Sequence, residues 1–250
     1  MVNLFHLKNI WDKIYFHPLF YFIVIISLIT AHFRNLFYFT LIIFIHELGH
    51  SCMGLLLGIK LNRIEIYPYG GLSKLEYKIN IKLLKELLVL ISGPLIQIIF
   101  TYLVYYFKLD VEDYFFSYSK FILIFNLLPI YPLDGGRIVN ILLAYFISYY
   151  NSLKYTYYIS YFVFMFLFFY IIILSKNLFF ILIIISLGLE LFKEIKKRNN
   201  YFHKFLLERY LYYFRFRKIK YVTNIYKFRR DYLHIIGIKT EKEYLAKYFQ

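Results

Sequence analysis

The chain has 250 residues, of which 61% are hydrophobic and 24% aromatic, and its formal net charge is +15. No ordinary soluble domain is this apolar, so the composition excludes a soluble enzyme or a solvated binding module. The charge is uneven: from Lys193 onward there are 16 Lys and Arg against 5 Asp and Glu.

Six apolar runs follow one another along the chain, and several approach or exceed the roughly 20 residues that cross a bilayer. Lipid offers the backbone no hydrogen-bond partners, so each run is predicted to be helical. The predicted fold class is an all-α polytopic membrane protein with about six transmembrane helices, a membrane-reentrant β-hairpin after the second, and a short basic cytoplasmic tail. The expected domains are residues 1–192 in the membrane and 193–250 as the tail. The runs are Leu19–Ala31, Leu36–Leu57, Leu87–Phe107, Phe121–Tyr131 (extended back to about Ser117), Tyr155–Leu174 and Leu178–Phe192.

The second run contains His46, Glu47 and His50. Charged groups cost roughly 2.5–3.5 kcal/mol each at the centre of a membrane helix, so a chain that keeps them there is expected to use them. Residues i and i+4 share one helix face, so both imidazoles can reach one metal ion. In zinc hydrolases with this spacing, the glutamate accepts a proton from the water that the ion activates. Three protein ligands and one open position complete such a site, so a third ligand is required.

After the second run, the segment Ile64–Tyr77 is rich in β-forming residues and contains Gly70-Gly71. It is predicted to be a hairpin that turns at the two glycines. Lys60 and Arg63 precede it, which favours a start at the cytoplasmic surface.

The fourth run ends in the segment Asn126–Arg137, where two prolines and two glycines are expected to unwind the helix. Asp134 lies in this segment and is the best candidate for the third ligand; the alternative is that it caps a helix beginning near Arg137. Asn126 is expected to bind the substrate backbone or the developing oxyanion, or else to make an interhelical hydrogen bond.

The basic residues predict the orientation of the chain in the membrane. The segment Ile59–Lys85 carries six Lys and Arg, whereas the opposite loops carry only Arg34, Lys108 and Lys176. Basic loops stay cytoplasmic, so both termini are placed in the cytoplasm. The tail is interpreted as a topology determinant beside anionic lipid rather than as a nucleic-acid site.

With His46–His50 and Leu133–Gly136 both in membrane segments, the chain resembles the site-two family of intramembrane zinc proteases. Further segments are similar to its stage IV sporulation branch, found in endospore-forming bacteria. The resemblance covers about residues 10–212. Those segments are Pro68–Gly71, Ser92–Pro94, Asn126–Gly136 and Phe205–Tyr210.

For the metal site, the resemblance implies one Zn²⁺ per chain, held by His46, His50 and Asp134. It implies that Glu47 is the catalytic base and that Asn126 lies in the active site.

For the substrate, the resemblance implies that the hairpin residues Tyr69, Gly70 and Gly71, together with Pro132, make contact. The implied substrate is a membrane-tethered precursor of the late mother-cell sigma factor, cleaved in the outer forespore membrane on the side that faces the mother cell. Inhibitory membrane proteins are the implied regulatory partners, and no nucleic acid is expected.

Members of this branch carry a cystathionine-β-synthase-type domain after the sixth span, which is associated with ATP. Only about 40 residues follow Tyr210 here. The tail is therefore expected to hold at most a remnant of that domain, and ATP binding is not carried over to it.

Two other functions fit the same residues. The enzyme could cleave an anti-sigma factor or a signal-peptide remnant instead. A non-proteolytic metal-binding membrane protein, such as a transporter, would require ionisable residues in the fifth and sixth spans, and those spans have almost none.

Overall fold

The computed structural model describes residues 13–67, 70–76, 78–174, 178–216 and 218–249. Helices dominate these residues, with two small sheets between and after them. In chain order the elements are β1 (Ile14–Phe16), α1 (Pro18–Ile29), α2 (Phe33–Leu56), β2 (Lys60–Tyr67), β3 (Gly70–Glu76), α3 (Leu83–Tyr106), α4 (Asp113–Asn126), α5 (Asp134–Phe146), α6 (Tyr149–Leu174), α7 (Leu178–Leu211), β4 (Lys218–Val222), β5 (Tyr232–Ile236), β6 (Lys239–Thr240) and α8 (Glu241–Phe249).

Three of the described helices are long and apolar enough to cross a membrane: α2, α3 and the part of α6 between Tyr149 and Ile173. Of the six predicted spans, the second, third and fifth are therefore supported. With 12 and 14 residues, α1 and α4 reach only about 18 and 21 Å. The hydrocarbon core is about 30 Å thick. The sixth predicted span lies within α7, which continues to Leu211, so the predicted domain boundary after residue 192 falls inside a helix.

Two compact units make up the chain, the first comprising Met1–Tyr77 and Leu88–Asn126, the second Lys78–Leu87 and Leu127–Gln250. The core of the first unit is an apolar cluster in which α2 meets α3 and α4. Large side chains fill it because β-branched and aromatic residues recur on the facing sides of these helices. The cluster contains Ile42, Ile43, Val104, Phe115 and Ile122.

The sheet of the first unit has the order β1-β2-β3, with β1 parallel and β3 antiparallel to β2. The predicted hairpin is thus present as β2 and β3, whereas β1 and the sheet of β4, β5 and β6 were not part of the predicted fold. The turn position was wrong: Gly70 and Gly71 are the first residues of β3, opposite Tyr67 and Ile66. Its re-entry into a membrane stays a prediction.

In the second unit, the end of α7 packs against a small sheet in which β5 lies between a parallel β4 and an antiparallel β6. Phe205, Leu206 and Phe228 are fully buried in its core. A buried ion pair joins α7 to α8, with the Arg209 guanidinium 2.8 Å from the Glu241 carboxylate. The basic tail is therefore a folded element.

Candidate metal centre

The helix α2 brings His46 and His50 together inside the first unit. Both side chains are buried, and their Nε2 atoms are 3.1 Å apart. The four-residue spacing places them one helical turn apart on the same face, as the sequence predicted. Two polar rings buried in an apolar helix require partners, and α3 supplies them.

Each imidazole is held at Nδ1 by a group on α3. The His50 Nδ1 lies 2.7 Å from the Val89 carbonyl oxygen, which can only accept, so this nitrogen donates. The His46 Nδ1 lies 2.9 Å from Gln97 Oε1. The orientation of the Gln97 amide is fixed because its Nε2 donates to the Ser119 carbonyl at 2.8 Å. In their neutral forms both histidines therefore carry the proton on Nδ1 and present the lone pair of Nε2.

Two Nε2 lone pairs at this distance repel each other and together suit a cation. Nitrogens that each bind a tetrahedral zinc at about 2.0–2.1 Å are roughly 3.3 Å apart. The observed separation of 3.1 Å is close to that value. Metal-binding histidines also commonly donate their second ring N–H to a carbonyl or carboxylate oxygen. The pair therefore fits a zinc ion by its spacing, its tautomers and its supporting hydrogen bonds.

Close packing of α2 on α3 depends on glycine at two positions. A Cβ added at Gly49 would be 2.6 Å from the Ser92 carbonyl oxygen, and one added at Gly93 would overlap the His50 ring. The Ser92 hydroxyl lies 3.0 Å from the Gly49 carbonyl and so links the two helices. A larger residue at position 49 would push the two helix backbones apart, and one at position 93 would displace the His50 ring.

Glu47 contacts β3 of the hairpin. Its Oε2 accepts a hydrogen bond of 2.7 Å from the Ser73 hydroxyl, and the side chain is buried. A Cβ added at Gly71 would overlap the Glu47 Cγ, whereas one added at Gly70 would meet no atom of the described residues within 4 Å. Of the predicted substrate residues, Gly71 therefore lies against the predicted base, and Gly70 has space around its Cα among the described residues. Tyr69 lies outside the described residues.

Asp134 belongs to the second unit and is the first residue of α5. Leu133 occupies the N-cap position, so the alternative role of Asp134 as the cap of a helix near Arg137 is not what the structure has. Glycine at position 135 allows the start of α5 to lie against the beginning of the preceding loop. A Cβ there would overlap the carbonyl groups of Leu127 and Leu128. The role of Asp134 as third ligand stays a prediction.

Asn126 and Pro132 are the other predicted site residues. Asn126 is the last residue of α4 in the first unit, and Pro132 lies in the second unit between α4 and α5; both are half-buried. Their roles at the site stay predictions. The residues that sequence reasoning missed are Gln97, Val89 and Ser73, which support the two histidines and the glutamate. They carry no local signal, because their contacts join residues 51, 39 and 26 positions apart.

Comparison with known proteins identifies relatives of the chain. The model of peptidase family M50 matches residues 34–112 and 109–170. The chain is 30% identical over 206 residues to the stage IV sporulation protein FB of Bacillus subtilis, covering 79% of this chain and 71% of that protein. It is 30% identical over 168 residues to a zinc metalloprotease of Methanocaldococcus jannaschii, covering 61% of this chain and 48% of the relative. The solved site-2 protease from Methanocaldococcus jannaschii matches with a TM-score of 0.55 and 26% identity, covering 72% of this chain and 89% of that structure.

Proposed function

Because the chain belongs to peptidase family M50, the site-2 proteases, and is therefore an intramembrane zinc metalloendopeptidase, we propose that His46, His50 and Asp134 hold its zinc ion. The observation that carries this proposal is the buried histidine pair, whose Nε2 atoms are 3.1 Å apart and whose Nδ1 atoms are held by α3. A carboxylate from α5 supplies the third ligand, which leaves a fourth position for water and substrate.

When bound, zinc would lower the pKa of a water molecule to about 7 and would polarise the carbonyl under attack. In the proposal, the Glu47 carboxylate would accept a proton from the attacking water and would then donate it to the leaving amine. The Ser73 hydroxyl holds Oε2 at 2.7 Å and so fixes the orientation of the carboxylate. Burial of Glu47 keeps bulk water away from the proton that it carries.

The hairpin is the proposed site of substrate binding. Peptide hydrolysis requires an extended segment, since the amides of a helix are engaged in its own hydrogen bonds. Among the described strands, β3 lies at the edge of its sheet, and its residues Gly71 and Ser73 contact Glu47. A substrate segment that adds to this edge as a further strand would be extended beside the base. Gly70, Tyr69, Asn126 and Pro132 are proposed to border the same segment.

The proposed substrate is the membrane-tethered precursor of the late mother-cell sigma factor, cleaved in the outer forespore membrane under the control of inhibitory membrane proteins. The similarity to stage IV sporulation protein FB over 79% of the chain supports this choice. The proposed topology has six spans with both termini in the cytoplasm, supported by the basic residues of the tail.

The test is co-expression of the full chain with this precursor. Glu47→Gln keeps the shape of the side chain and removes the base, so we expect zinc to be retained and cleavage to be lost. Glu76→Gln, which changes an exposed glutamate at the end of β3, is the matched control and should cleave normally. Undiminished cleavage by Glu47→Gln would refute the assignment of the base. Failure of the wild type on this precursor, with cleavage of another membrane-tethered protein, would refute the substrate alone.

A further inference from the structure

A cavity of about 430 Å³ lies in the second unit where α5 gives way to α6. Its walls come from the start of α6 and from β4 with the turn that follows it. The polar residues that line it are Ser148, Asn151, Lys220, Thr223, Lys227 and Arg229. None of these is a proposed ligand of the zinc ion or a proposed substrate contact.

The charge of the cavity is entirely positive. Lys220, Lys227 and Arg229 line it, and within the part of the chain that the structure describes, no lining residue is acidic and no ion pair joins these three to a carboxylate. The Arg229 guanidinium is fixed by donation to the Phe146 carbonyl oxygen and by the Tyr232 ring, 5.7 Å away. Three cations without an acidic neighbour favour an anionic occupant.

A buried hydroxyl points to the same occupant. Ser148 is only 9% exposed and lines the cavity, and its Oγ has no hydrogen-bond partner among the described residues. Buried hydroxyls are nearly always paired, so this one has unused capacity to donate. Ser148 also directly precedes α6, and the dipole of that helix favours an anion at this end, although the Tyr149 N–H itself donates to the Phe228 carbonyl at 2.9 Å.

The surroundings of the cavity indicate which anion fits. Helix α6 is one of the three candidate membrane spans, and its apolar run begins at Tyr155. Ser148 lies seven residues earlier, about 10 Å along the helix axis, which is the distance at which headgroups border the hydrocarbon core. Exposed apolar side chains lie on the segments that form the cavity: Tyr221 lines it and is 75% exposed. Phe146 and Ile219, which adjoin lining residues in the chain, are also exposed. These apolar side chains would contact the glycerol and upper acyl chains of a lipid, whereas a soluble phosphate would leave them exposed to water.

We propose that this cavity binds the phosphate of an anionic phospholipid headgroup at the point where α6 enters the membrane. Lys220, Lys227 and Arg229 neutralise the phosphate, and the Ser148 hydroxyl donates to one of its oxygens. The bound lipid bridges the start of α6 and the tail sheet, and so couples the folded tail to the membrane surface.

The experiment measures binding of short-chain phosphatidylglycerol to the purified full chain in a neutral detergent. Phosphatidylcholine and inorganic phosphate serve as comparison ligands. We expect phosphatidylglycerol to bind and the other two to bind at least tenfold more weakly. The double variant Lys220→Ala/Lys227→Ala should weaken phosphatidylglycerol binding by about twentyfold, because two basic residues at an anionic surface are lost. The pair Lys218→Ala/Lys242→Ala removes the same charge from tail residues that do not line the cavity, and it should bind like the wild type.

Ser148→Ala provides a second variant that leaves the charge unchanged, and it should weaken phosphatidylglycerol binding by about tenfold. It decides the question if the double lysine variant fails to fold. Equal binding of phosphatidylglycerol and phosphatidylcholine would overturn the proposal, as would equal losses in the two lysine pairs or unchanged binding by Ser148→Ala. Inorganic phosphate that binds as tightly as phosphatidylglycerol would assign the cavity to a soluble ligand and overturn the lipid.

Discussion

Gln97→Leu tests whether the metal site depends on its support from α3. Gln97 is fully buried and links His46 Nδ1, 2.9 Å from its Oε1, to the Ser119 carbonyl, 2.8 Å from its Nε2. Leucine has a similar volume but offers neither acceptor nor donor, so the histidine ring loses the hydrogen bond that sets its tautomer. Removing such a supporting group typically weakens metal binding by about 10–100-fold, which corresponds to roughly 1.4–2.7 kcal/mol.

The assay is a competition titration of zinc between the purified protein and a chromophoric chelator. Thr101→Val is the matched control, because Thr101 lies one turn along α3. Its hydroxyl bonds the Gln97 carbonyl at 2.9 Å and the Ser119 hydroxyl at 2.6 Å, and not the Gln97 amide that holds His46. We expect Gln97→Leu to lose affinity and Thr101→Val to keep it, with similar melting temperatures. Wild-type affinity in Gln97→Leu, or an equal loss in both variants, would refute the reasoning.

Three further predictions concern the hairpin and the tail. Gly71→Ala should reduce the rate of cleavage by about tenfold or more, because the added Cβ would overlap the side chain of the base. Gly70→Ala should stay within about twofold of the wild type, because its Cβ would meet no described atom. Equal rates for the two variants in a cleavage assay would contradict this. Arg209→Met removes the guanidinium from the buried Glu241 carboxylate, so the folded tail should lose about 3–5 kcal/mol of stability. Limited proteolysis should then cut the chain after α7 faster than in the wild type. Resistance equal to that of the wild type would argue against a stabilising ion pair. Burial lowers the pKa of His234 below its usual 6.5. The unfolded state therefore binds more protons below that pH, and the melting temperature of the tail should be highest above pH 6.5 and fall on acidification; a melting temperature independent of pH would contradict it.

Like His234, Glu241 makes the tail less stable on acidification, but over a lower range of pH. Burial raises the pKa of its carboxyl, but hydrogen bonds from His234 and Arg209 together with the charges of both outweigh burial and leave the pKa below the usual 4.5. Its contribution to stability is present above pH 4.5 and is lost as the pH falls through the lowered value, because the unfolded carboxyl binds its proton first.

The sequence predicted the features that depend on local spacing. His46 and His50 lie four residues apart in a helix, so their convergence follows from helix geometry alone. The β-forming residues after α2 also predicted the strands. They did not predict the position of the turn, because two glycines at the start of β3 cannot be told from two glycines in a turn by sequence. Glycine is required at position 71 because any Cβ there would overlap Glu47, which lies 24 positions away in the sequence.

Helix lengths were predicted less well, because apolar runs and helices need not coincide. The fourth run continues to Tyr131, whereas α4 ends at Asn126, where the predicted unwinding of Asn126–Arg137 begins. The sheet of the tail was not predicted. In β4, lysines alternate with Ile and Tyr as in a strand, but the basic composition of the whole tail obscured this pattern.

Zinc content measured together with cleavage tests the central claim most directly. The purified wild type and Glu47→Gln should each hold about one zinc per chain, and only the wild type should cleave. His46→Ala and Asp134→Asn should hold little zinc and show no cleavage, because each removes a proposed ligand from a site that needs three. A folded Asp134→Asn protein that keeps a full zinc complement and cleaves its substrate would contradict the account.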